Sequence, residues 1–259
     1  MERFTTSDGI GIAYRTWNDD AAGPPVLLHH GFIANAHLNW EITGVIEALV
    51  ADGRRVVAHD ARGHGRSDTP HDPARYGEAR MALDVAELAD HLGLDAFDLV
   101  GYSMGGVTAV ITASQEPRVR RLVIGGIGSA IVELGGVDTR RMDRTDLAEI
   151  LERPDRPDPS AIHNPTLAAF VTFVDAVGGD RLALAAQARS VHRAPIALDR
   201  ITAPTLLVAG EDDELAERPE VLADAIAGAR LLVVPGDHMG ALMGPAFLAA
   251  VRAFLADPS

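Results

Sequence analysis

Short apolar runs alternating with stretches of helical periodicity set the rhythm of most of this chain. Residues 3–17 carry a Ser-Asp-Gly turn followed by alternating Ile10, Ile12 and Tyr14, the pattern of an opening hairpin with one buried face. Compact apolar runs then recur at residues 26–28, 55–58, 97–100, 122–124, 205–208 and 231–234. Runs without polar alternation suit strands covered on both faces, as in a parallel sheet. Between them, Val85, Leu88, Ala89 and Leu92 repeat at helical spacing and stop at Gly93. Near the C-terminus Phe247, Val251, Phe254 and Leu255 repeat in the same way. Strand alternating with helix predicts an α/β fold: a doubly wound, mostly parallel sheet flanked by helices. Its active groups then belong on loops beyond the strand C-termini.

One interval breaks the rhythm. Between Gly128 and about Ile201 no run has the character of a core strand, and the Pro-rich segment 153–159 cannot form a regular helix. Leu167, Phe170, Val171 and Val174 nevertheless form a helical stripe. The interval reads as an inserted helical cap over 129–200, with the core formed by 1–128 and 201–259. The alternative is a pair of ordinary sheet-covering helices joined by a long loop. Arg140, Arg141, Asp143, Arg144 and Asp146 make a mixed charge run here, which reads as a solvated helix face.

Composition narrows the function. A chain of 259 residues with 47% hydrophobic and 23% charged content fills one substantial core, so one folded unit is expected. The formal net charge of −14 argues against nucleic acid as a partner, because clustered Lys and Arg carry such binding. The absence of cysteine excludes disulfides, thiolate metal sites and a cysteine nucleophile. The opening residues show no apolar leader, and no apolar stretch reaches the ~18 residues of a membrane span. The expectation is a soluble cytoplasmic protein, with its oligomeric state left open.

The motif that carries chemistry is Gly101-Tyr102-Ser103-Met104-Gly105-Gly106, between the apolar run 97–100 and the helix-compatible run 107–111. Its logic is a very tight strand-to-helix turn that pushes a serine hydroxyl into the open, where side chains at the flanking glycines would clash. A second motif, His29-His30-Gly31-Phe32, follows the first parallel-type strand. From it the Phe32 N–H can point at an acyl oxygen together with the Met104 N–H, forming an oxyanion hole. His29 and His30 read as supports of this loop. His30, Tyr102, Phe170 and Phe173 are the candidates for the substrate pocket. Downstream, Glu211, Asp212 and Asp213 lie just past one strand and His238 just past the next, so the chain order is serine, acid, histidine. A base must reach the serine, and a carboxylate must fix that base's tautomer. Proximity in sequence does not choose among the three acids. Glu133 and Asp138 are the next candidates should none of them serve.

Taken together, His30-Gly31-Phe32, the segment 60–67, Gly101-Tyr102-Ser103-Met104-Gly105, Gly210-Glu211-Asp212-Asp213 and Asp237-His238 make the chain resemble the α/β-hydrolase superfamily, in its serine esterase and lipase-like branch with a short cap. The resemblance implies a triad of Ser103, Asp213 and His238, since relatives place the acid three residues after the strand-end glycine. It implies that the segment 60–67 supports the site and that no cofactor is needed. His59, Asp60 and His64 are thereby explained without a metal, and their spacing matches no strong ligand signature. One departure is Pro235-Gly236-Asp237-His238, where relatives often have Gly-x-Gly-His. A serine nucleophile points away from the haloalkane dehalogenase and epoxide hydrolase branches.

The expected activity is cleavage of a carboxylic ester or related small acyl compound through an acyl-enzyme on Ser103. The same triad also serves lactonases, thioesterases, C–C hydrolases and perhydrolases. A rival of another class is a ligand receptor built on a retained hydrolase site.

Overall fold

The apolar runs form one eight-stranded sheet with the order β1-β2-β4-β3-β5-β6-β7-β8. The computed structural model describes residues 1–140, 142–155 and 158–257. Along the chain come β1 (Glu2–Thr5), β2 (Gly11–Trp17), β3 (Val26–His29), α1 (Val45–Ala51), β4 (Val56–His59), α2 (Glu78–His91), β5 (Phe97–Tyr102), α3 (Met104–Ala113) and β6 (Val119–Gly125). Four helices follow: α4 (Ala130–Leu134), α5 (Arg144–Glu152), α6 (Pro165–Val177) and α7 (Arg181–Ala188). The chain then resumes with β7 (Thr205–Gly210), α8 (Pro219–Ala225), β8 (Arg230–Val234), α9 (His238–Met243) and α10 (Pro245–Ala256). From β4 to β8 neighbouring strands are parallel, while β1 and β2 run antiparallel at one edge.

Successive side chains of each parallel strand feed opposite faces of the sheet. Leu27, Val57, Leu99 and Leu122 join α2, α3 and α8 on one side, through residues such as Val85, Val107 and Leu222. Val26, Val56, Val100 and Val123 join α1 and α10 on the other, through Leu49 and Val251. That two-sided burial is why these strands read as largely apolar runs, interrupted in β5 by the buried Asp98. The opening hairpin is present but differs in one respect from the one-faced strand predicted: Gly11, Ile12, Ala13 and Tyr14 are all buried. The loop after β4 folds back along this strand, where Asp68 Oδ2 accepts the Gly11 N–H at 2.6 Å and Ser67 Oγ the Ala13 N–H at 2.9 Å.

Between β6 and β7 the described residues hold only helices and turns. Helices α5, α6 and α7 enclose their own apolar cluster, with Leu147, Leu151, Val171, Val174 and Leu184 at its centre and Ile33 reaching in from the loop after β3. Local sequence explains α6. Asn164 Oδ1 accepts the Leu167 N–H at 3.0 Å, Pro165 opens the helix, and Gly178 ends it at φ 72°. The proline-rich segment is indeed not helical where described: α5 stops at Glu152, and a short helical turn resumes at Pro159–Ala161. Residues 156 and 157 of that segment lie outside the described residues.

The reading of the charge run as a solvated face needs correction. Asp143 and Asp146 are exposed, and Asp143 caps α5 by accepting the Thr145 N–H at 2.8 Å. Arg140 is engaged with Asp138 and Glu133, and Arg141 lies outside the described residues. Arg144, however, is only 5% exposed. As the first residue of α5 it points inward, and its guanidinium lies 5.2 Å from the ring centre of Phe32 and 5.0 Å from that of Phe170. Two aromatic faces that attract a cation offset part of the cost of taking this charge off the surface.

Candidate active site

Ser103 sits between β5 and α3 with φ 56° and ψ −119°, a conformation that costs a non-glycine residue about 1–3 kcal/mol. The turn holds because its neighbours carry no side chains. A Cβ at Gly101 would lie 2.1 Å from the Gly105 carbonyl oxygen, and one at Gly105 would lie 2.1 Å from that of His29. Both contacts are with backbone, so neither can yield. The Ser103 N–H is tied to the Gly125 carbonyl at 2.8 Å, and the residue borders a cavity of about 230 Å³.

His238 borders the same cavity from the start of α9. Its Nδ1 lies 2.8 Å from Asp213 Oδ2 and 3.0 Å from Oδ1. Asp213 follows β7 and is 5% exposed, whereas Glu211 and Asp212 face solvent. Asp213 Oδ1 also accepts the Leu215 N–H at 3.0 Å, which fixes the carboxylate plane. An ionised carboxylate accepts only, so Nδ1 carries the proton and Nε2 is left as the basic nitrogen. Asp237, the departure from the family pattern, accepts the Gly240 N–H at 2.7 Å and caps α9. Glu133 and Asp138 are held by arginines, Glu133 by Arg140 and Arg218 and Asp138 by Arg140.

The loop after β3 brings Gly31 and Phe32 to the cavity beside Ser103. Asn39, 3% exposed, accepts the Gly31 N–H at 2.7 Å. Ile33 next to it has φ 71°, a strained value for a β-branched residue, and is locked by burial in the cluster around α5 and α6. Met104 opens α3, so its N–H has no acceptor within the helix. Sequence reading missed Asn39 and Ile33, since neither belongs to a motif that carries chemistry.

Of the pocket candidates, Tyr102, Phe170 and Phe173 line the cavity, joined by Leu215, Met239 and Leu242. His30 does not. It is fully buried, with Nδ1 2.8 Å from the Gly31 carbonyl and Nε2 2.9 Å from the Ala61 nitrogen, so it braces the loop instead of facing a substrate. Tyr102 donates its hydroxyl to the His238 carbonyl at 2.5 Å, and its ring centre lies 5.3 Å from the imidazole. Burial, with Asp213 and Asp237 nearby, raises the Tyr102 phenol well above its usual range, so the donor stays protonated.

Beneath this loop the segment 60–67 acts as a brace. Asp60 accepts the Ala36 and Arg66 N–H groups at 2.9 and 2.8 Å. Arg62 forms a two-pronged pair with Asp84, both contacts at 2.7 Å. His29, His30, His59 and His64 are all buried. Desolvation lowers the pKa of each, His29 and His64 to about 4.

A strained serine at a strand-to-helix turn, sharing a cavity with a carboxylate-bound histidine on a mostly parallel sheet, defines the architecture of an α/β hydrolase. The family model described as the alpha/beta hydrolase fold matches residues 24–149, just under half of the chain, and the sheet and its flanking helices have that fold. The chain is 38% identical over 129 residues to a non-heme chloroperoxidase of Streptomyces lividans, covering 48% of this chain and 44% of the relative. It is 37% identical over 120 residues to a bifunctional esterase/perhydrolase of Acinetobacter calcoaceticus, covering 45% and 40%. The matched region thus spans under half the length of these curated relatives. Over nearly the whole fold it is similar to a hydrolase from Pseudomonas aeruginosa PA01, with TM-score 0.78, 29% identity and coverage of 99% and 98%. Among the described residues no helix is long and apolar enough to cross a membrane.

Proposed function

We propose that the protein is a serine hydrolase that cleaves a carboxylic ester or a related acyl compound through an acyl-enzyme on Ser103. The observation that carries this reading is the shared cavity. Ser103, forced outward by its backbone, and His238, fixed in one tautomer by Asp213, open onto the same space. On this reading His238 Nε2 takes the serine proton as Oγ attacks the carbonyl carbon. The resulting imidazolium is stabilised by Asp213. The Phe32 and Met104 N–H groups stabilise the oxyanion. Collapse expels the alcohol with the proton from His238, and water then deacylates the serine by the reverse sequence. Residues 129–200 serve as a cap on the core formed by 1–128 and 201–259, and Phe170 and Phe173 of that cap border the cavity. No cofactor is required by these steps.

The relatives support acyl chemistry, one of them bearing the name esterase/perhydrolase. The test is a panel of acyl esters, lactones and thioesters assayed with wild type and Ser103→Ala. The proposal expects multiple turnover of at least one class and near-total loss in the variant, with folding retained. Equal turnover by both proteins would refute it.

A further inference from the structure

A narrow crevice begins at Ser103, separate from the apolar chamber, and is lined by Gly126, Gly128, Val137, Asp138, Arg144 and Leu215. Arg144 is the unusual member. It is 5% exposed, its Nε is buried without a partner, and its guanidinium makes no hydrogen bond or ion pair among the described residues. Two carboxylates lie nearby, and neither gives it a hydrogen bond, although the charge of Glu78 favours the charged guanidinium. Glu78, which borders a small adjoining pocket with Arg144, has no oxygen within 4.0 Å of it. Glu78 instead accepts the His192 N–H at 2.6 Å, and burial raises its pKa. Asp138 is engaged by Arg140 through both oxygens. The Phe32 and Phe170 rings offer a cation their faces but supply no acceptor for its N–H groups. Burial lowers the Arg144 pKa only to about 10, so the group stays charged at neutral pH. An unpaired buried charge is costly, and folded proteins pair such groups or reserve them for a ligand.

We propose that Arg144 binds a carboxylate of the substrate, so that the compound cleaved at Ser103 is an acyl compound with one short acidic arm and one apolar arm. This rests on the serine-hydrolase reading and names its substrate class. The crevice has room for about one water-sized group, roughly 10 Å³, so it is too small for a phosphate or sulfonate and takes a planar carboxylate only as side chains such as Val137 and Leu215 give way. Planar guanidinium and planar carboxylate then pair through two parallel N–H···O bonds. The apolar arm occupies the chamber walled by Phe170, Phe173, Met239 and Leu242. In a protein of net charge −14, a single desolvated cation at the nucleophile gives local attraction for an anion that the surface as a whole repels.

The experiment compares matched neutral and anionic esters in both placements of the charge. One pair is the 4-nitrophenyl ester of pentanoate and the 4-nitrophenyl hemiester of glutarate. The other is ethyl butyrate and the butyrate ester of glycolate. Wild type is expected to prefer the anion in one placement by at least about tenfold in kcat/KM. Arg144→Met should lower the ratio of anionic to neutral kcat/KM about 100-fold, mainly through KM, and Arg144→Lys should retain part of the preference. Should the Met variant fail to fold, the Lys variant carries the comparison, checked by thermal melting. As a readout independent of turnover, Ser103→Ala should bind the intact favoured anionic ester by calorimetry, and Ser103→Ala with Arg144→Lys should bind it more weakly. Equal use of both esters by wild type in both placements would overturn the proposal, as would unchanged ratios in the variants. Hydrolysis that survives Ser103→Ala would sink the serine reading instead, while Arg144-dependent binding would leave the anion site standing.

Discussion

Replacing Asp213 by Asn tests the acid–base arrangement with almost no change of shape. Asp213 Oδ1 accepts the Leu215 N–H at 3.0 Å, and Oδ2 is the oxygen nearer to His238 Nδ1, at 2.8 Å. An amide has one oxygen. If it stays opposite the Leu215 N–H, the NH₂ group faces Nδ1 and donates to it, which moves the imidazole proton to Nε2. The base then cannot accept a proton from Ser103, and an imidazolium would have no counter-charge. Losses of this kind amount to about 3–5 kcal/mol in the barrier, or roughly 10²–10⁴-fold in kcat. Stability should change little, because the site remains filled. Asp212→Asn and Glu211→Gln alter solvent-exposed side chains and should stay within about tenfold of wild type. Steady-state hydrolysis of an activated ester, alongside thermal melting of each variant, measures all three. Asp213→Asn retaining more than about a tenth of wild-type kcat would refute the reasoning, and a crippled Asp212→Asn would move the acid by one residue.

Other outcomes follow from the same geometry. Gly105→Ala places a Cβ 2.1 Å from the His29 carbonyl oxygen and 2.6 Å from that of His30, so it should destabilise the fold by roughly 3 kcal/mol or more in urea titration. An unchanged midpoint would show that the turn can relax. Phe170→Ala and Phe173→Ala should shift acyl or alcohol chain-length preference more than reactivity toward a small activated ester, whereas equal losses on every substrate would mark packing alone. Acid should unfold the protein through its buried histidines. The unfolded chain binds their protons near pH 6.5, and folded His29 and His64 do so only near pH 4, so stability present above 6.5 is lost as pH falls through that window. Each such histidine steepens the fall by up to about 1.4 kcal/mol per pH unit, and a flat urea midpoint from pH 6.5 to 4 would contradict the assignment.

Much of this organisation is legible in the sequence because burial on both faces leaves a direct trace. The runs around Leu27, Val57 and Leu207 are almost wholly apolar, with positions that alternate between two cores, while in the run around Leu99 the buried Asp98 is paired with Arg54 and Arg120. The start of β6 was less visible. Arg121 lies inside the strand and is 2% exposed, with NH1 3.3 Å from the Phe254 carbonyl, so a charged residue masks a buried position. Arg144 hid for the same reason: amid Arg140, Asp143 and Asp146 nothing local distinguishes the one charge that turns toward Phe32 and Phe170. Motif order and family resemblance single out Ser103, His238 and Asp213, and the structure places the Asp213 carboxylate against His238 Nδ1, while their roles belong to the proposed function. The partners that orient them, Tyr102 to the His238 carbonyl and Asn39 to the Gly31 N–H, are contacts distant in sequence or outside any motif.

Covalent labelling asks directly whether Ser103 is the nucleophile. A fluorophosphonate probe reacts with a serine only where a base and oxyanion donors are already in place. Intact-protein mass spectrometry followed by peptide mapping should find one adduct per chain of wild type, on Ser103, and none on Ser103→Ala. Labelling of another residue, or no labelling of a wild-type protein that hydrolyses esters, would contradict the account.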